Sequence, residues 1–269
     1  MLITSGVWIP AEVYARESGY GNDKYMQIEN NYKILGVRID NFNKKELFEK
    51  IEGFFLEEKF HQIATINPEF ILEAQKNLEF KNILNNCTLN VADGFGIKLA
   101  FWRFSRHLKA RVAGADLMLE ILRMADEKKF SVFLAINKDG LSTFEEIKNA
   151  ILKIYPKLII GGADLSPKND YYKRLKINNS ILFCNFGVPY QELFMDSQKY
   201  DTIRLAMGVG GSFDFLTGKS YRAPKFLQFL GLEWFWRIFQ PQSWEFKKER
   251  VKRIFRAVII FPIRTIINK

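Results

Sequence analysis

From Tyr32 onward the chain alternates short apolar runs with longer stretches of mixed polarity. ILGVRI, HQIATI, CTLNVA, SVFLAI, KLIIGG, SILFCNF and TIRLAMGV have the length and apolar content of strands. Between them, KKELFEKIEGFFLEEK, ADLMLEILRMADEKK and STFEEIKNAILKIYP place apolar residues at the spacing of one helix face, and Asn43 supplies an N-cap for the first. Strands alternating with helices of this length mark βαβ units, so the pattern predicts an α/β, Rossmann-like fold with a mainly parallel sheet flanked by helices. Residues 1–32 mix Gly, Asn, Glu and Tyr without a sustained period and read as a loosely ordered extension, in which Met26 offers a second start site. The α/β domain then spans 33–218, and a basic helical appendage spans 219–269.

The pattern in the appendage differs from the rest. KFLQFLGLEWFWRIF reads as an aromatic-rich helix placed to cover a crevice. In a second helix Val251, Ile254, Phe255, Val258 and Ile259 form an apolar stripe, with Lys252, Arg253 and Arg256 roughly opposite. Charge sharpens this picture. The chain carries a net +10, and from Lys219 to Lys269 twelve Lys and Arg stand against three Glu, so nearly all of the excess lies in the tail. Lys247, Lys248, Arg250, Lys252, Arg253 and Arg256 are each worth about 1 kcal/mol near an anionic leaflet. The appendage therefore reads as an interfacial helix that docks on an anionic membrane surface with its apolar face down. The bland alternative packs the stripe on the protein's own body or on another subunit. The longest apolar run of the tail, Ala257 to Ile263, is far short of the ~20 residues needed to span a bilayer. No secretory signal is apparent, and Cys87 and Cys184 stand singly in apolar contexts, as expected of buried thiols in a reducing cytoplasm.

In such sheets ligands bind beyond the carboxyl ends of the strands. Four loops there carry polar chemistry: Asn67-Pro68-Glu69 with Thr65 in the strand end, Asp93-Gly94-Phe95-Gly96, Gly187 to Glu192, and MGVGGSFDFLTGKSYRAP from Met207. The last half-matches a dinucleotide loop and a P-loop, and Phe213 stands where each pattern needs a glycine. Each loop also has a purely structural reading. Asn67-Pro68 caps a helix, Asp93-Gly94 makes a turn, and Asp214 caps the helix after the glycines. The sequence holds no G-x-S-x-G and no D-x-D, and His61 and His107 stand alone, with His61 read as a core or edge residue. No metal site and no cofactor is expected. What remains is one acid, Asp93, amid amides, arginines and glycines, a set suited to transfer chemistry with a single general base.

TINPE, VADGFGI, RVAGADLM, GVPYQE, GVGGSFDFLTGKSYRAP and GLEWFWRIFQP, in this order over roughly Tyr32 to Pro241, resemble the WecG/TagA/CpsF glycosyltransferases. The resemblance implies a UDP donor carrying an N-acetylmannosamine-type sugar or its uronate, and a polyprenyl-diphosphate-linked N-acetylglucosamine acceptor. It implies inversion, no essential metal, and a peripheral place on the cytoplasmic face of the plasma membrane, in cell-surface polysaccharide or teichoic acid biosynthesis. It makes Asp93 the base and Thr65, Asn67, Arg111 and Gln191 active-site positions. Gly208, Gly210, Gly211 and Asp214 fall in the donor segment, where glycines admit the backbone to the diphosphate and Asp214 meets the nucleoside. Arg222 and Arg237 match positions that bind the acceptor diphosphate. The chain departs from the family at Tyr190, usually Lys, and at QSWEFKKER, which delays the tail cations. A homo-oligomer stays open. Two other readings remain: a basic, aromatic nucleic-acid-binding protein, whose strand-end motifs would have no use, and a regulator that binds a UDP-sugar without turnover.

Overall fold

Two short strands, β1 (Leu2–Thr4) and β2 (Val7–Ile9), pair antiparallel in a unit of their own, Met1–Asn30. The second unit, Asn31–Lys269, opens with β3 (Asn31–Ile34), β4 (Val37–Asp40), α1 (Lys44–Leu56), β5 (His61–Ile66), α2 (Pro68–Ala74), α3 (Leu78–Asn86) and β6 (Leu89–Ala92). It continues with α4 (Phe95–Arg103), α5 (Gly114–Lys128), β7 (Val132–Asn137), α6 (Phe144–Ile154), β8 (Ile160–Leu165), α7 (Pro167–Asp170), β9 (Ile181–Cys184), α8 (Tyr190–Ser197) and β10 (Leu205–Gly208). A 3-10 turn (Gly210–Ser212) leads to α9 (Phe213–Leu216), α10 (Lys225–Phe229), α11 (Glu233–Trp236) and a second 3-10 turn (Arg237–Phe239). The chain ends in α12 (Trp244–Phe255), a π-helical turn (Arg256–Ile260) and α13 (Phe261–Ile267). The structure, a computed structural model, describes both N-terminal strands and residues 31–267 except 200–201, 230–232 and 241–243. The side chains of 31, 228, 229, 234, 237, 244–246, 249 and 250 are outside that description.

Eight strands form one sheet in the order β3-β4-β6-β5-β10-β9-β7-β8. Only the β3–β4 pair is antiparallel; all other pairs are parallel. The mainly parallel α/β sheet is therefore as the alternation predicts. ILGVRI is the exception, because the run predicts one strand and the structure makes a hairpin. Leu35 and Gly36 take φ of 49° and 77° and turn β3 into β4, the two-residue geometry in which both central residues lie at positive φ. Apolar content does not register a turn that starts on leucine.

The period-two alternation of the strands splits the core into layers. On one face Ile63, Val91, Leu134, Phe183 and Met207 pack against α1, α5 and α6 through residues such as Ile51, Ile121 and Ile151. On the opposite face Ala64, Ile66 and Ala92 meet α2, α3 and α4, and Leu182, Cys184 and Ala206 meet α8. Asn43 caps α1 in a reciprocal box with Glu46. His61 is buried and stacked on Phe54 at 4.1 Å, and burial lowers its pKa. Both cysteines are free and buried.

The tail differs in detail from its pattern. The aromatic run predicts one helix; its described residues fall in α10, α11 and a 3-10 turn, and 230–232 lie outside the described residues. The second helix is longer than the stripe, because α12 continues through the π-helical turn into α13. Phe261 is buried in the core cluster of α2, α3 and α4. The π-helical turn touches α2, and α13 touches α4. The stripe itself does not follow Phe261 inward. Val251, Phe255, Val258 and Ile259 are exposed, while Arg253 and Arg256 lie 3.4 and 3.6 Å from the carboxylates of Glu69 and Glu73 on α2. Two of the helix's cations, Arg253 and Arg256, thus pair with the body, while Lys248 and Lys252 and the apolar side chains of the stripe are exposed. Among the described residues no helix is long and apolar enough to cross a membrane.

Candidate functional site

The parallel strands bring the loops after β5, β6, β9 and β10 to one edge of the sheet. At the end of β5, Thr65 is buried and Asn67 follows in extended backbone. Asn67 Oδ1 accepts the backbone amides of Glu69 and Phe70 at 2.9 and 3.2 Å, with Pro68 in the first turn of α2. The capping reading of Asn67 is thus realised, and only its Nδ2 is left over from the cap. Asn67→Ala is expected to cost about 1 kcal/mol of stability, a loss measurable by urea unfolding.

Asp93 follows β6 directly and is half-buried. The first amide of α5, Gly114 N–H, points at its Oδ2 from 3.5 Å. A Cβ at Gly114 would sit 3.4 Å from Thr65 Oγ1 and 3.7 Å from Asp93 Oδ2, so Thr65, Asp93 and the start of α5 enclose one small space. The end of a fifteen-residue helix places partial positive charge there. A guanidinium approaches from the tail. Arg222 makes a two-pronged bond with Asp116 in the first turn of α5, at 2.5 and 2.7 Å. The Asp116 bonds, and less strongly the charges of Glu233 and Asp93, raise the Arg222 pKa against the opposing effect of burial.

Arg111, just before α5, lies 3.9 Å from Glu233 of α11. The base of the α10–α11 segment is pinned by Gln240, whose Oε1 accepts Tyr221 N–H at 2.8 Å and whose Nε2 donates to Tyr221 C=O at 3.0 Å. Residues 221–240 therefore form a loop closed at its neck, with Glu233 directed to Arg111. The side chain of Arg237, expected at the acceptor diphosphate, is outside the described residues, as is that of Arg250. Lys247 is half-buried, and Lys248 and Lys252 are exposed.

Across the edge, Gln191 at the start of α8 is buried. Its Oε1 accepts Gly187 N–H at 3.1 Å and Gly210 N–H at 3.2 Å, and its Nε2 donates to Glu192 Oε1 at 2.7 Å. One amide thereby ties the loop after β9 to the loop after β10. Gly208 makes room for it, because a Cβ there would lie 2.2 Å from Gln191 Nε2. Gly210, at φ 49°, has open space where a Cβ would be, and a Cβ at Gly211 would lie 3.3 Å from Asp214 Oδ2. Asp214 Oδ1 accepts the Ser142 hydroxyl at 2.7 Å. Phe213, which breaks both phosphate fingerprints, is fully buried and meets Phe183 edge-on. Lys219 pairs with Glu146 at 2.7 Å.

Sequence reasoning did not single out Gly114, Asp116, Ser142, Glu192 or Glu233. Glu192 was within reach, as the residue after Gln191 in PYQE. It is wholly buried, its Oε2 has no hydrogen-bond partner among the described residues, and burial pushes its pKa up to about 8. A carboxyl raised in the folded state holds its proton where the unfolded chain has lost it. Its contribution to stability is complete below the ordinary carboxylate range and disappears as pH rises toward 8. Glu192→Gln is expected to flatten the fall in melting temperature between pH 5 and pH 8, a window set by that raised value.

Comparison with known proteins covers most of the chain. The profile described as the Glycosyl transferase WecG/TagA/CpsF family matches residues 32–267. A Bacillus subtilis (strain 168) protein named N-acetylglucosaminyldiphosphoundecaprenol N-acetyl-beta-D-mannosaminyltransferase is 30% identical over 230 residues, covering 82% of this chain and 87% of its own. The protein of the same name from Staphylococcus aureus (strain MRSA252) is 31% identical over 214 residues, covering 76% of this chain and 82% of its own.

Proposed function

Because the chain belongs to the WecG/TagA/CpsF family and is a hexosyltransferase, we propose that it moves an N-acetylmannosamine-type sugar, or its uronate, from a UDP donor. The proposed acceptor is a polyprenyl-diphosphate-linked N-acetylglucosamine, and the configuration at the anomeric carbon inverts. The observation that carries this reading is the Asp93 carboxylate at the strand-end edge, beside Thr65 and the first amide of α5.

An acceptor hydroxyl is a weak nucleophile at neutral pH. Asp93 takes its proton as the oxygen attacks the anomeric carbon from the side opposite UDP. The new C–O bond forms as the bond to the UDP oxygen breaks, and UDP leaves as a stable anion without a second acid. Charge growing on the diphosphate is met by Arg111 and by backbone amides near Gly210 and Gly211. Asp214 meets the nucleoside, and Thr65 and Asn67 hold the sugar. Gln191, whose amide is occupied by the two loops, shapes this donor segment and so acts as a positioning residue. Arg222 and Arg237 meet the acceptor diphosphate, with the closed loop 221–240 over the crevice.

The lipid-linked acceptor requires the enzyme to reach a bilayer. The outward apolar face of α12 and the exposed Lys248 and Lys252 support peripheral docking on an anionic surface, at the cytoplasmic face. A panel of UDP-sugars offered with lipid-linked N-acetylglucosamine tests the reading. UDP release with a disaccharide-lipid product is expected for UDP-N-acetylmannosamine or its uronate, and release from none of the panel sinks it.

A further inference from the structure

The body holds a second apolar face that the tail stripe does not explain. On α4, Ile97, Ala100 and Phe101 are buried, whereas Phe95, Leu99 and Trp102, at i, i+4 and i+7, look outward, Trp102 at 75% exposure. Apolar side chains exposed side by side on one helix face, with a tryptophan among them, are a candidate contact surface. Its surroundings say which kind. From Phe95 to Ala115 the chain has five Lys and Arg and no Asp or Glu, a basic stretch set within an otherwise balanced body. Tryptophan beside cations is the composition of a protein surface seated among lipid headgroups.

The stripe also lies on the helix that the C-terminal helix touches. Phe261 of α13 packs within the cluster of Ile97, Ala100 and Phe101, and a Cβ at Gly96 would be 3.7 Å from its ring. Beyond Phe261, Ile263 and Ile266 are exposed like Val258 and Ile259 before it. We propose that the outward face of α4, Phe95, Leu99 and Trp102 with Lys98, is a bilayer-docking surface beside the C-terminal helix, so that the crevice beside Asp93 is held against an anionic leaflet. This rests on the lipid-linked acceptor of the proposed function and extends docking from the appendage to the catalytic body. Since α4 starts two residues after Asp93, the lipid surface comes within one helix length of the base.

The test is sedimentation with vesicles of phosphatidylglycerol and phosphatidylcholine in equal parts, using the full chain and the double variant Leu99→Asp/Trp102→Asp. Trp102 is 75% exposed and Leu99 37%, so the variant should fold with at most a small drop in the thermal melt, which is measured alongside. Vesicle partitioning should fall by about tenfold or more, and turnover should fall on acceptor embedded in vesicles but not on a water-soluble acceptor analogue. Unchanged partitioning of the variant overturns the proposal. So does a wild-type chain that ignores these vesicles and self-associates through this face, with the double variant monomeric. A fall in partitioning together with no UDP release from any donor leaves the surface standing and removes the proposed function, so the two failures are distinguishable.

Discussion

Asp93→Asn is expected to lower turnover by about 10²- to 10⁴-fold, the usual contribution of a positioned general base, and to leave UDP-sugar affinity close to that of the wild type. Asparagine keeps the shape of the carboxylate and still faces Gly114 and Thr65, so the enclosure survives while the proton acceptor is gone. The donor contacts proposed around Gly210, Gly211 and Asp214 are on other loops, and binding measured by calorimetry should report them intact. Loss of donor affinity equal to the loss of turnover would assign Asp93 to binding. Full turnover would remove it as the base.

Phe261→Ala is expected to have the largest effect on stability, about 3 to 5 kcal/mol. The ring is buried among α2, α3 and α4 and covers Gly96. At the ~2–4 °C per kcal/mol expected for a domain of this size, the melting temperature should fall by roughly 10 °C. Deleting residues after Gln240 should do at least as much, because it uncovers the same cluster. If both variants melt like the wild type, the C-terminal helix is no part of this core. Measuring vesicle binding of Phe261→Ala below its melting point separates loss of fold from loss of docking.

The sheet was legible because buried parallel strands are written as unbroken apolar runs, and HQIATI and SILFCNF leave little choice of partner element. The hairpin in ILGVRI was not legible, since its turn depends on backbone angles at Leu35 and Gly36 that hydrophobicity does not encode. Thr65, Asn67 and Asp93 were singled out by placing motifs at strand ends, and the structure does set them at the ends of β5 and β6. The reason for Gly208 was not legible, because its missing Cβ makes way for Gln191, a contact between loops distant in sequence. Asp116 was hidden for the same reason, its partner Arg222 arriving from 106 residues away. In the tail, Val251, Phe255, Val258 and Ile259 are exposed and Ile254 is half-buried. The pairing of Arg253 and Arg256 with Glu69 and Glu73 on α2 joins segments far apart in sequence, which the stripe alone does not show.

The C-terminal helix lies directly on the body: the π-helical turn touches α2, whose N-cap is Asn67, and α13 touches α4, which starts two residues after Asp93. An enzyme tethered by a flexible chain samples many heights above a leaflet. A rigid seat allows one. Under the docking proposed above, the distance from headgroup plane to base becomes a fixed dimension of the fold, and the acceptor's search shrinks to two dimensions. An acceptor whose first sugar stands above or below that plane would be passed over, so the spacing between lipid and sugar acts as a ruler for selectivity alongside the pocket.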